Sequence, residues 1–127
     1  MAITATSTIL HDGQRNAVMQ FTGMSDGSGQ EIGEVKVDVS ELNPPPKEVK
    51  VNRIEYSVDG GSVKLSWDAD ADADFAILSG QNFFDYCNIN GMTNSADKPN
   101  SGDILFSTMG FEANSSYTIK LDLIKKF

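Results

Sequence analysis

The chain has one cysteine, Cys87, and one histidine, His11, among its 127 residues. A single cysteine excludes an intrachain disulfide. With a single histidine it cannot fill a four-ligand nitrogen-sulfur zinc site. Cationic side chains are scarce: 10 Lys and Arg stand against 18 Asp and Glu, a net charge of −8. That balance excludes a nucleic-acid backbone as the main partner, which would need clustered basic residues. No apolar run approaches the ~20 residues of a membrane-spanning helix, so no membrane role is expected. The opening MAITATSTIL has neither a basic segment nor a continuous apolar stretch. It does not read as a secretion signal, and synthesis in a reducing cytoplasm is expected. Helical periodicity is nearly absent as well.

What the sequence does contain is alternation. Val35, Val37 and Val39 alternate with Glu34, Lys36, Asp38 and Ser40. Tyr117, Ile119, Leu121 and Leu123 alternate with Thr118, Lys120 and Asp122. Ile54, Tyr56 and Val58 precede Asp59-Gly60-Gly61, and Val63, Leu65 and Trp67 follow it. Side chains that alternate in this way are the mark of strands with one face buried. Asp-Gly and Gly-Gly tolerate the positive φ of a tight turn, so the spacing predicts a hairpin turning at residues 59–61. Further strands are expected over 3–10, 17–22, 75–78 and 104–109. Pro44-Pro45-Pro46 predicts an extended surface connection. Residues 88–102 read as a long loop, of a kind that is usually functional or a contact surface. The expectation is an all-β chain, a single antiparallel β-sandwich over residues 1–127. It is immunoglobulin-like or jelly-roll-like, with about seven or eight short strands. Residues 1–8 form its N-terminal arm or an edge strand.

The one stretch that invites a metal or catalytic reading is Asp68-Ala69-Asp70-Ala71-Asp72-Ala73-Asp74. A helix-loop-helix calcium site wants glycine at its sixth position and glutamate at its twelfth. Counted from Asp68 these are Ala73 and Ser79; counted from Asp70 they are Phe75 and Gln81. Both registers fail, which leaves Asp68, Asp70 and Asp72 only as weak metal candidates. Extended backbone would put all four aspartates on one side, facing water or a basic partner, since desolvating them unpaired is too costly. Aspartate also disfavours strands, so the run is expected in a loop or bulged edge between the Trp67 strand and residues 75–78. His11 sits in a His-Asp-Gly turn with no nucleophile-elbow pattern in the chain, and Cys87 is expected to pack beside aromatics. No enzymatic activity and no cofactor are expected. Phe83, Phe84 and Tyr86 carry two readings, a platform for stacking on sugars or burial in a core or subunit contact.

The ordered set of motifs resembles a family of small virion structural proteins of tailed bacteriophages, many of which infect cyanobacteria. It comprises HDGQRNAV from His11, SDGSG from Ser25, VKVDVS from Val35, IEYS from Ile54, VKLSWDA from Val63, GDIL from Gly102 and SYTIKL from Ser116. The chain departs from that pattern at the triple proline and over 83–90. The resemblance implies a virion protein made in the bacterial cytoplasm. Small size, acidity and a β-rich domain favour a capsid decoration or cement protein that binds the major capsid protein or other virion proteins. Such a protein stabilises the assembled shell by linkage. A homo-oligomer, most simply a trimer, follows from that role. The expected partner contacts are Met92, Thr93 and Asn94 in the long loop, and Ile3 and Thr4 in the N-terminal segment. The alternatives are a neck or tail component, or a carbohydrate- or calcium-binding β-sandwich module.

Overall fold

The computed structural model describes residues 3–69, 71–96 and 100–127. Seven strands follow one another as β1 (Ile3–Asp12), β2 (Asn16–Asp26), β3 (Glu34–Val37), β4 (Glu48–Ala69), β5 (Ala73–Asp85), β6 (Asn100–Met109) and β7 (Ala113–Lys126). Two 3₁₀ turns, Val39–Glu41 and Cys87–Ile89, lie between them. Every pairing is antiparallel, in the order β1-β2-β7-β4-β6-β3, with β5 on the other edge of β4.

Alternation dictates the strongest strands. On β7, Tyr117, Ile119, Leu121 and Leu123 are each no more than 1% exposed. On β2, Ala17, Met19 and Phe21 form the matching buried face. Side chains of this size contribute roughly 1.5–3 kcal/mol each when fully buried. The sheet folds over on itself, so β6 packs across the interior from β2 and β7. Phe106 meets Phe21 edge-on at 5.0 Å and Tyr117 at 6.0 Å between ring centroids. The result is the expected all-β antiparallel sandwich, with seven strands and one hydrophobic core.

Two local expectations are corrected. Asp59-Gly60-Gly61 is not a hairpin turn; it is a corner inside the 22-residue strand β4. Before the corner, β4 pairs with β7 over residues 48–59; after it, with β6 over residues 62–69. β5 follows the opposite edge of β4 around the bend, and the register shifts between Val58 and Val63. Gly60 (φ +88°) and Gly80 (φ +76°) supply positive φ on the two strands. The positive φ signalled by the sequence is real, but the chain bends there without reversing. The strands are consequently longer than expected, because one continuous β4 serves both layers.

The second correction concerns the valines. β3 ends at Val37, and its register shifts between Val35 and Val37, so the two side chains do not share a face. Val37 is fully buried while Val35 is 50% exposed. The extra residue, Lys36, sends its ammonium to Glu31 Oε2 at 2.6 Å. The prolines lie in the connection that leads into β4, where Pro46 is buried.

Candidate functional site

Of the aspartate run, Asp68 lies at the end of β4, Asp74 at the start of β5 and Asp72 just before it, in a hairpin whose last pair is Trp67 with Ala73. Asp70 lies outside the described residues. The other three do not share a face, because the chain reverses between them. Asp68 Oδ2 accepts from Ser101 Oγ at 2.7 Å, reaching towards β6. Asp72 Oδ1 accepts the Ala69 N–H at 3.1 Å and closes the turn. Asp74 Oδ1 accepts from the buried Ser66 Oγ at 2.8 Å, with the Lys64 ammonium 3.6 Å from its other oxygen. Each carboxylate has its own structural task. Among the described residues no three His, Cys, Asp or Glu side chains gather as a metal site would require.

Trp67, fully buried, stacks on Phe75 at 4.4 Å between centroids. Downstream on β5 the aromatics divide by parity. Phe84 lies on the other side of the strand, beside the rings of Tyr56 and Tyr86 at 5.7 and 6.4 Å, and is itself 37% exposed. Phe83 faces outward and is 51% exposed, with the Arg53 guanidinium 4.7 Å above its ring. Cys87 is exposed, against the expectation that it packs among aromatics, because β5 is an edge strand and the chain leaves it at Asp85. The Asp85 carboxylate beside it pushes the thiol up, which keeps it protonated and poorly nucleophilic. His11 is exposed opposite Val18.

The outward face around Phe83 is organised in cross-strand rows. One runs Gln20, Lys120, Glu55, Phe83 across β2, β7, β4 and β5. The next runs Thr22, Thr118, Ser57, Gln81. Together with Tyr56 and Asn82 the residues of these rows, Thr22 excepted, line an open groove of about 610 Å³. Glu55 Oε1 lies 3.1 Å from the Lys120 ammonium and 3.3 Å from Arg53 Nε, so the lining's one carboxylate is shared by two cations, and Asp85 stands opposite Arg53 in register. Sequence reading picked out Phe83 but not its neighbours. The signal was the polar half of the alternation on β4 and β7, which only pairing brings together.

The expected contact residues occupy two edges of the same sheet. Met92 extends β4's pairing beyond β5: Met92 N–H donates to Val51 O at 2.7 Å, and Val51 N–H to Met92 O at 3.0 Å. Its side chain is half-buried, Thr93 is exposed and Asn94 is half-buried. At the far edge, among the described residues, β1 pairs with β2 alone. Ile3 is 1% exposed and belongs to the core, whereas residues 4–11 are all exposed. Ile9 and Leu10 are among them, at 44% and 52%. Across β2, β7 and β4, the two edges are four strand spacings apart, roughly 19 Å.

A buried polar network was not legible in the sequence. Glu31 is 5% exposed and binds Lys36 and the Tyr117 hydroxyl, while its backbone bonds both ways with Thr108. It fastens the segment between β2 and β3 onto β6 and β7.

No protein-family model matches the chain, and no curated protein matches it. A similar solved structure is a cupin superfamily protein from Desulfitobacterium hafniense. It is 11% identical, with 95% of this chain and 73% of that chain covered, at a TM-score of 0.28. A likeness this distant carries no functional argument, and the all-β architecture stands on the chain's own strand pairings.

Proposed function

We propose that this chain is a non-enzymatic structural protein of a tailed-phage virion. In this reading it is a decoration protein that bridges and stabilises major capsid protein subunits. The observation that carries the reading is the free edge of β1. Residues 3–9 contain no charged side chain and no proline, in a chain of net charge −8. From Thr4 onward they are exposed on both faces of the strand. Natural proteins blunt a free edge with charge, proline or cover, because an unblunted one pairs with other chains. An edge left open over this length fits strand addition to another virion subunit. The 92–94 segment at the opposite edge of the sheet supplies a second contact, as bridging requires. A trimer matching local capsid symmetry is the simplest assembly.

The test uses particles lacking this protein, purified protein added back, and cosedimentation. Binding to the shell is expected, with a raised particle melting temperature. Thr6→Lys, which places a charge on the edge, should abolish cosedimentation while leaving the isolated domain folded. Copies confined to a single vertex of the particle would instead assign the chain to the neck or tail. Wild-type binding by Thr6→Lys would remove the edge from the contact.

A further inference from the structure

We infer that the outward groove across β2, β7, β4 and β5 is a binding site for a neutral glycan. The groove lies apart from the free edge of β1, and the inference does not rest on a virion role.

Charge selects the class of ligand. The chain carries a net −8, yet the groove presents one carboxylate, Glu55, and that group is held by Lys120 at 3.1 Å and Arg53 at 3.3 Å. A cation would meet a carboxylate already held by two cations, and an anion would have to compete with Glu55 for Lys120 and Arg53. The uncharged remainder suits a polyol. The side chains of Gln20, Gln81, Ser57 and Thr118 make no hydrogen bond to other described residues. Amides and hydroxyls both donate and accept, as sugar hydroxyls do. Asn82, whose Oδ1 takes the Phe83 N–H at 2.8 Å, adds a further amide to the lining.

Phe83 supplies the apolar component. A sugar ring is polar at its rim and apolar on its C–H faces, so it needs a hydrocarbon or aromatic surface beside the hydrogen bonds. Arg53, 4.7 Å over the ring, holds Phe83 in place while the side chain stays 51% exposed. A volume of about 610 Å³ falls in the range of small-ligand sites. The lining sits on paired strands, so little ordering cost accompanies binding.

The experiment titrates the full chain with maltohexaose, cellohexaose, laminarihexaose and mannohexaose by calorimetry, with polygalacturonate oligomers as the anionic contrast. Binding of at least one neutral oligosaccharide is expected. Phe83→Ala and Gln81→Ala should each weaken it by about tenfold, the scale of one stacking contact or hydrogen-bonded pair. Ile77→Ala, at an exposed position on β5 outside the groove, should leave it unchanged. Should Phe83→Ala fail to fold, Gln81→Ala and Thr118→Ala carry the test. Three results would overturn the inference: no neutral glycan bound at millimolar concentration, a preference for the anionic oligomers, or binding indifferent to all groove variants. Sedimentation showing a dimer that Phe83→Ala dissolves would assign the groove to a second copy and equally overturn it.

Discussion

The Tyr117 hydroxyl donates to Glu31 Oε1 at 2.7 Å, joining β7 to a segment 86 positions earlier in the chain. Both residues are buried, and Lys36 compensates the charge at the other carboxylate oxygen. Burial, and secondarily the neighbouring carboxylate, push the phenol far above its ordinary value, so it remains a donor throughout the working pH range. Tyr117→Phe keeps the ring packing and deletes only this bond. It should lower the unfolding free energy by about 1–3 kcal/mol in urea denaturation. Glu31→Ala should cost more, about 3–5 kcal/mol, because it strands the largely buried Lys36 ammonium. Equal losses in the two variants would contradict the network.

The second ion pair sets the behaviour in acid. Lys125 is fully buried and bonds Asp12 Oδ1 at 2.6 Å, while Asp12 Oδ2 accepts the Asn43 N–H at 2.8 Å. The Lys125 hydrogen bond is the main cause holding the Asp12 carboxyl below its ordinary value of 3.8. A carboxyl whose pKa is lowered by folding contributes stability above the unfolded value and loses it as pH falls through the folded one. Stability measured from pH 6 down to pH 2 should therefore drop below about pH 4. Asp12→Asn should remove that part of the drop and lower the plateau by about 3 kcal/mol.

Substitutions where β4 and β5 bend together separate close approach from backbone conformation. A Cβ on Gly61 would lie 2.5 Å from the Phe111 ring and 2.6 Å from the Met109 carbonyl oxygen. A Cβ on Gly80 would meet nothing within 4 Å, although its φ is +76°. Gly80→Ala should cost only the left-handed penalty, about 1–2 kcal/mol. Gly61→Ala must move a ring and a backbone and should cost about 1–3 kcal/mol, with Gly61→Val still less stable. Thermal denaturation of the three variants checks the ranking.

For the aspartate turn, the expected outcome is modest change without any metal effect. Asp72→Ala loses the bond to the Ala69 N–H and should cost about 1 kcal/mol. Asp72→Asn keeps an acceptor and should fold as the parent does. Millimolar calcium, or its removal with a chelator, should leave the melting temperature unchanged. A rise of several degrees with calcium would restore the metal reading of Asp68, Asp70 and Asp72.

The β7 strand was legible because the burial of Tyr117, Ile119, Leu121 and Leu123 follows from a period of two that any half-buried strand imposes. The polarity of the groove was legible in the same way, as the outward residues of that alternation, but its membership was not. Gln20 and Phe83 are 63 positions apart and share a row only because β7 and β4 lie between them in register.

Lys36 shows the opposite case. Its neighbours read as one continuous valine face until an extra residue in β3 turned its ammonium to a carboxylate that only folding delivers.

By itself the sequence determined the fold class, the buried faces of β4 and β7, and the place of a positive φ at residues 59–61. Tertiary structure decided what that φ does. A glycine frees the backbone to turn, but whether the chain reverses or bends depends on which strands compete for its edges. Here β7 claims β4 before the corner and β6 after it, so the chain bends and keeps pairing. The β4-β5 reversal falls beside the aspartates, where the sequence already pointed to a loop or bulged edge because aspartate disfavours strands.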